Sequence, residues 1–200
     1  MPKHNKKEHA MDIVFLLDRS GSMGGIEEDT IGGYNSYLNN QKGKNVLITT
    51  ILFDDQYEML NNREKIENVE KLTNKTYFVR GSTALLDAVG KTIHYLDSKK
   101  PSKVLFVITT DGMENASKEY SKESIKELIQ KHNNWEFMYI GANIDSYSEG
   151  TSIGIKSKNI ANYEKSSCGV GRLFSAVGKA ACEMYDHDEI SNNWKSSLLK

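Results

Sequence analysis

Carboxyl and hydroxyl side chains from three separate segments are the residues whose types and spacing best fit a chemical role. Asp18, Ser20 and Ser22 alternate directly after an apolar run. Thr83 lies in a Gly-Ser-Thr-Ala-Leu segment, and Asp111 follows a second apolar run within Thr-Thr-Asp-Gly. All five are hard oxygen donors, and no histidine or thiol accompanies them. Such a set suits Mg²⁺, Mn²⁺ or Ca²⁺ and disfavours zinc.

The apolar runs that precede these residues predict the strands that position them. The runs are rich in β-branched and aromatic residues and lack strict alternation, which is typical of strands buried on both faces of a parallel sheet. They cover residues 13–17, 46–53, 104–108 and 137–140. Residues 57–60 follow Asp54 and Asp55 and predict a hairpin into an antiparallel edge strand, and residues 160–163 predict a further short strand.

Segments between the runs have helical spacing. Apolar residues recur at i, i+4, i+8 and i+11 from Leu85, a second periodic segment follows the polar helix start at Ser121, and a third spans about residues 171–185. The combined pattern predicts an α/β fold: a Rossmann-like, doubly wound, mostly parallel six-stranded sheet with one antiparallel edge strand and helices on both faces. Ligands of such sheets bind at the carboxyl ends of the strands, where Asp18 and Asp111 are expected.

The five oxygen donors resemble the metal-ion-dependent adhesion site of von Willebrand factor type A (VWA) domains. The matching pattern is Asp-x-Ser-x-Ser, a distant Thr and a distant Asp, here Asp18, Ser20, Ser22, Thr83 and Asp111, in the same order along the chain. The resemblance covers about residues 11–185 and is closest in kind to stand-alone bacterial or phage members of the family. It implies a Rossmann-like fold and an intact metal site.

The resemblance also implies a function. In such domains the two serine hydroxyls hold the ion, the threonine and aspartates bind it directly or through water, and the sixth position is left for a carboxylate of a protein partner. Neutral hydroxyls donate weakly, so the ion stays electrophilic, and an octahedral Mg²⁺ can exchange a water for an incoming Asp or Glu. We therefore expect a metal-dependent protein-binding module, not an enzyme, with Mg²⁺ or Mn²⁺ preferred over Ca²⁺.

Four neighbouring residues are candidates for the rim of the site or for support of its ligands. Arg19 alternates away from the ligating positions and is expected at the rim or in solvent. Gly21, together with Gly24 and Gly25, is expected to permit the sharp loop that folds the two serines around the ion, or to form a plain flexible turn. Asp87 fits the first turn of a helix, where the macrodipole favours an acid, or support of the site. Glu114 either lines the approach to the metal or is an exposed loop residue.

Two other functions remain open from the sequence. A metal-dependent phosphohydrolase of the haloacid-dehalogenase type needs Asp-x-Asp after the first strand, and Ser20 stands where that second acid would act in proton transfer. A structural subunit whose metal site recruits no partner would keep the same motif.

Composition narrows the class of protein. The chain has 200 residues, with 26 basic and 27 acidic side chains, so it lacks the basic excess of a protein that coats nucleic acid. No run approaches the roughly 18–20 apolar residues of a membrane span. The two cysteines, Cys168 and Cys182, have no metal or disulfide-framework spacing. We expect an N-terminal tail of residues 1–10, a single domain over residues 11–200 and a cytoplasmic location.

Overall fold

A single mixed sheet forms the centre of the molecule in the computed structural model, which describes residues 10–198. The strand order is β3-β2-β1-β4-β5-β6, and all neighbours pair in parallel except β2 and β3, which are antiparallel. The predicted fold class is therefore confirmed. The predicted tail lies outside the described residues except for residue 10. The strands are β1 (Met11–Asp18), β2 (Val46–Phe53), β3 (Tyr57–Lys65), β4 (Val104–Thr110), β5 (Trp135–Gly141) and β6 (Ile160–Asn162).

Helices cover both faces of the sheet. They are α1 (Glu27–Gln41), α2 (Leu85–Asp97), α3 (Lys122–Lys131), α4 (Ser146–Ser152) and α5 (Ser167–His187), with short 3-10 turns at Gly21–Met23, Ile66–Asn68, Ser157–Asn159 and Asn192–Ser197. Ser121 and Ser124 form the reciprocal cap that starts α3, as the sequence indicates. Helix α5 begins earlier than residue 171 because Ser166 caps it. Helix α4 is not predicted because its seven residues show no apolar periodicity.

Strand β1 is buried along its whole length, which explains why its sequence does not alternate. Ile13, Phe15 and Leu17 pack in one hydrophobic cluster with α1 and α5. Val14 and Leu16 pack in the other cluster with α2 and α3. Each face of the strand thus holds a separate helical layer against the sheet.

The order of the strands reverses beside β1, because the chain passes from β1 to β2 on one side and β4 lies on the other. Leu17 of β1 is paired with Thr109 of β4, so the two strands end side by side. A crevice at the carboxyl ends of strands is expected where the strand order reverses. The two loops that carry Asp18 and Asp111 leave the sheet at this point.

Helices α1 and α5 approach each other closely at a glycine of α1, Gly33. A Cβ atom added at Gly33 of α1 would lie 2.4 Å from a ring carbon of Phe174 in α5, whereas one added at the adjacent Gly32 would meet nothing within 4 Å. Position 33 therefore needs a residue without a side chain, whereas position 32 does not.

These adjacent glycines provide a matched test of the packing. We expect Gly33→Ala to lower the free energy of unfolding by about 1–3 kcal/mol, because the ring of Phe174 must leave its packed position. Gly32→Ala should instead raise it by up to about 1 kcal/mol, since alanine restricts the unfolded chain and favours the helix. Urea unfolding measures both, and equal effects of the two substitutions would contradict this packing.

Among the described residues, no helix is both long enough and apolar enough to cross a lipid bilayer.

Candidate metal centre

Three hydroxyl groups from two loops surround the backbone of Gly112. The Oγ atoms of Ser20 and Ser22 are 3.0 Å apart. A Cβ atom added at Gly112 would lie 2.7 Å from Thr83 Oγ1, 2.9 Å from Ser22 Oγ and 3.5 Å from Ser20 Oγ. One point in space is therefore within reach of all three oxygens, and glycine is the residue that leaves this point free.

Asp111 contributes a buried carboxylate oxygen without a partner. Its side chain is almost fully buried, and Oδ1 accepts no hydrogen bond. The other oxygen, Oδ2, lies 2.9 Å from the ammonium of Lys165. A buried oxygen that lacks a partner is costly, and a cation is one group that satisfies it.

Asp18 lies beneath the hydroxyl groups and is completely buried. Its Oδ1 accepts a hydrogen bond of 2.7 Å from the backbone amide of Ser20, and its Oδ2 accepts one of 2.5 Å from the hydroxyl of Thr110. Burial raises the pKa of the Asp18 carboxyl to about 6, although the hydrogen bonds from Thr110 and Ser20 oppose this change. The same bonds fix the direction of the loop that presents both serines.

The donor set fits a hard divalent cation. The site offers three hydroxyls and two carboxylates, which are oxygen ligands of the kind that Mg²⁺ and Mn²⁺ prefer. In the part of the chain that the structure describes, no three or more His, Cys, Asp or Glu side chains are grouped so that they could hold a metal ion. A cation bound here would therefore depend on hydroxyl oxygens.

The loop that follows β4 fixes the position of Thr83. The side-chain oxygen of Asn115 accepts a hydrogen bond of 2.9 Å from the Thr83 amide. The amides of Asn115 and Ala116 donate to the Thr83 carbonyl at 3.0 and 3.2 Å. Thr83 and Asp111 are thus held relative to each other by backbone contacts.

Glu114 and Asp87 strengthen the same connection. Glu114 accepts hydrogen bonds from the amide of Leu86, in the first turn of α2, and from the amides of its own loop. The carboxylate of Glu114 is therefore engaged at the start of α2 and does not line the approach to the metal. Asp87 accepts from three consecutive amides of residues 118–120. Burial acts to raise the pKa of Asp87, but these three bonds outweigh it and lower the pKa overall.

Gly21 connects two of the loops through its backbone. Its amide donates to the carbonyl of Gly81 at 3.1 Å, which joins the serine loop to the loop that carries Thr83. Gly21 begins a 3-10 turn, and the positive φ of the segment, 91°, belongs to Gly25. The sharp turn after the serines thus depends on Gly25 more than on Gly21.

Arg19 is not at the rim, and this expectation is wrong. Its side chain is 0% exposed, and its Nε donates to Asp54 Oδ2 at 3.0 Å while Nη1 lies 2.7 Å from Glu58. Arg80 also binds Asp54 Oδ2, at 2.7 Å. Asp54 therefore does more than form the hairpin: it joins the loops after β1 and β2 to the segment that leads to Thr83. Alternation correctly pointed Arg19 away from the serines, but the buried acid that receives it is 35 residues further along the chain.

Two residues of the centre were not identified from the sequence. Thr110 is the last residue of β4, where a threonine is an ordinary strand residue and its bond to Asp18 carries no local signal. Lys165 lies in the segment between β6 and α5, which is 143 residues from Ser22 in the sequence. Only the fold places its ammonium beside Asp111.

A cleft of about 610 Å³ opens beside the hydroxyl groups. Met113, which is 63% exposed, and Asn143 belong to its lining, and Asp145 and Glu149 lie further along it. Asp145 caps the start of α4, and Glu149 pairs with Lys122. The cleft is wide enough to admit a side chain of another protein to the site.

The comparisons with known proteins find similar structures but no match among family models or curated proteins. Proximal thread matrix protein 1 from the mussel byssus, in the structure "with zinc occupied MIDAS motif", is similar with a TM-score of 0.66 and 17% identity over 87% of this chain and 46% of that chain. The present chain therefore spans about half the length of the mussel protein.

Two further structures extend the similarity. The vWF domain of the type V pili tip protein Mfa5 from Porphyromonas gingivalis has a TM-score of 0.67 and 8% identity over 92% of this chain and 99% of that chain. Manganese-loaded Plasmodium vivax TRAP protein has a TM-score of 0.58 and 19% identity over 78% of this chain and 69% of that chain. At these identities the comparisons show the fold: the chain has a VWA-like fold.

Arg19 and Arg80 both pair with the carboxylate of Asp54, and we expect the two ion pairs to contribute differently to stability. We expect Arg19→Met to lower the free energy of unfolding by about 3–5 kcal/mol, because Asp54 is left buried without its buried counter-ion. Arg80→Met removes the guanidinium that is 36% exposed and should cost about 1 kcal/mol or less. Chemical unfolding monitored by circular dichroism measures the difference, and a loss of similar size in both variants would contradict the assigned role of Arg19.

Proposed function

We propose that this protein is a metal-dependent protein-binding module in which Asp18, Ser20, Ser22, Thr83 and Asp111 hold a divalent cation that binds an acidic residue of a protein partner. The observation that carries the proposal is the cradle at Gly112, where three hydroxyl oxygens converge beside a buried Asp111 oxygen that has no partner. A divalent cation at this point would be coordinated by this oxygen and by the three hydroxyl groups at the same time.

The structural neighbours support a metal-dependent adhesion function. One of them has a zinc-occupied MIDAS motif and another is manganese-loaded, and others are pilus proteins. Mg²⁺ and Mn²⁺ remain our preferred ions for this chain because its donors are all oxygen atoms. The zinc in the mussel protein nevertheless makes Zn²⁺ a necessary member of any set of ions that is tested.

Each residue of the centre has a defined task in this proposal. Ser20 and Ser22 supply neutral oxygens, and the buried Asp18 holds their loop in place. Thr83 and Asp111 complete the set from the neighbouring loops, which are joined by Asn115. When bound, the cation supplies an electrophilic centre for a carboxylate oxygen. The cleft beside it, with its exposed Met113, gives the partner access.

The arrangement argues against a phosphohydrolase, and we propose that the protein is not an enzyme. The nucleophilic aspartate of such an enzyme must reach its substrate, whereas Asp18 is completely buried and both of its oxygens accept hydrogen bonds. Ser20 stands where the second acid would have to be. Asp18 is therefore better suited to hold a loop and a cation than to attack a phosphorus atom.

A single methyl group tests the cation site. We expect a saturating concentration of Mn²⁺, about 100 times the dissociation constant, to stabilise the wild-type protein by about 3 kcal/mol, which corresponds to roughly 5–10 °C in Tm. Gly112→Ala should abolish this shift, because the new Cβ atom would lie 2.7 Å from Thr83 Oγ1, inside the cradle. Thermal unfolding with Mg²⁺, Mn²⁺, Zn²⁺ or EDTA measures the effect.

Gly171→Ala is the matched control, since a Cβ atom there meets nothing within 4 Å. This variant should keep the full Mn²⁺ shift. A wild-type protein that no divalent ion stabilises, or a Gly112→Ala variant with an unchanged shift, would contradict the proposed site.

Capture of a partner tests the second half of the proposal. We expect the immobilised protein to retain a specific partner from lysate in Mg²⁺ and to lose it in EDTA, because the partner's carboxylate needs the cation. Asp18→Ala should lose the partner in both buffers. Once the partner is identified by mass spectrometry, replacing its contacting Asp by Asn, or Glu by Gln, should weaken binding at least tenfold. Retention of the same partner in excess EDTA would contradict the proposal.

A further inference from the structure

Lys165 places a positive charge at the edge of the proposed metal centre. Its ammonium lies 2.9 Å from Asp111 Oδ2 and donates a hydrogen bond to the backbone carbonyl of Ser22. Asp111 is 1% exposed and Lys165 is 23% exposed at the side chain, so the pair is largely shielded from water. The lysine thus contacts two of the three loops that carry the candidate ligands, the one with the serines and the one with Asp111.

The fold brings Lys165 to this position from a distant strand. The segment that leaves β6 is bound to the end of β5, because the Tyr163 amide donates to the Gly141 carbonyl at 2.9 Å. The hydroxyl of Tyr163 donates to Met23 Sδ, in the turn that follows Ser22, at 3.9 Å. Tyr163 is buried in the same hydrophobic cluster as Met23. The position of Lys165 is therefore supported by the packing of the residues before it and does not depend on its own ion pair alone.

The two oxygens of Asp111 have different environments because of this lysine. Oδ2 is neutralised by the ammonium, whereas Oδ1 is buried and has no partner. Asp18 and Asp111 bring two negative charges to the centre, and Lys165 cancels one of them. A divalent cation then leaves the centre with a net positive charge of one instead of a neutral centre.

We propose that Lys165 is a specificity-determining residue. Its ammonium weakens binding of the cation and keeps the cation-bound centre positively charged, so that the centre selects an anionic partner. This inference rests on the proposed function, because it concerns the same metal centre. Its physical basis is that a positive charge within a few ångströms of a divalent ion lowers the affinity for that ion by roughly tenfold or more, and raises the affinity for an incoming carboxylate.

A purely structural role of Lys165 makes a different prediction. If the ammonium only anchored the segment before α5, its removal would lower the free energy of unfolding and leave the affinity for the cation unchanged. Cation affinity is therefore the measurement that separates the two roles, with the unfolding free energy recorded in parallel.

Titration calorimetry with Mn²⁺ tests the proposal in the full chain. We expect Lys165→Met to bind Mn²⁺ about tenfold more tightly than the wild type. Lys165→Arg keeps the charge and should remain near the wild-type affinity. Lys103→Met is the matched control, because Lys103 is also 23% exposed and paired with an acid, Asp188, but lies at the amino-terminal end of β4, whereas Asp111 follows its carboxyl end.

A small carboxylate probe tests the effect on the partner. The capped peptide Gly-Asp-Gly, titrated into the Mn²⁺-saturated proteins, should bind Lys165→Met several times more weakly than the wild type, and the Gly-Asn-Gly peptide should bind neither. Unchanged Mn²⁺ affinity in Lys165→Met, or unchanged affinity for the Asp peptide, would overturn the assignment of Lys165. Absence of Mn²⁺ binding by the wild-type protein would instead overturn the proposed function itself, and this inference with it.

Discussion

The parallel pairing of β1 with β4 is the interaction on which the candidate centre depends. Because the two strands end side by side, the loop with Asp18 and the loop with Asp111 leave the sheet together. The hydroxyl of Thr110, the last residue of β4, donates to the buried carboxylate at the end of β1. This bond joins the ends of the two central strands beneath the hydroxyl groups. The geometry of the centre is thus set by two fully buried residues at the carboxyl ends of the central strands.

A second set of contacts joins the loops to one another above the sheet. Asn115 accepts from the Thr83 amide, Glu114 accepts from the Leu86 amide at the start of α2, and Arg19 donates to Asp54 in the loop after β2. Each contact uses a charged or amide group that could have faced solvent. Such rigidity is most important for a site that must hold an ion with weak, neutral donors. Once the loops are fixed, the hydroxyl groups cannot be reoriented without a substantial cost in free energy.

The balance of charge at the centre connects the fold to the proposed function. Hydroxyl ligands leave a bound cation underneutralised, and the nearby ammonium of Lys165 offsets one of the two carboxylates. In the proposed function, both features would reduce the affinity for the ion and favour an acidic group of the partner. The VWA-like structural neighbours, which include a zinc-occupied and a manganese-loaded protein, share less than 20% identity with this chain. A fold shared at such identities is maintained by buried strands and helix packing, which tolerate many sequences.

The sequence by itself determined the sheet, its antiparallel edge strand and the order of the candidate ligands, since these follow from short apolar runs, from the helical spacing between them and from one motif that begins at the end of a strand. It indicated that Arg19 points away from Ser20, but not that Arg19 forms an ion pair with the buried Asp54. The partners of Arg19, Glu114 and Asp111 lie far along the chain, and only the tertiary structure brings them together. A local sequence pattern indicates which face of a helix or strand a residue occupies. An ion pair or a shared ligand position depends instead on how distant elements pack against each other, and no local stretch of sequence contains that information.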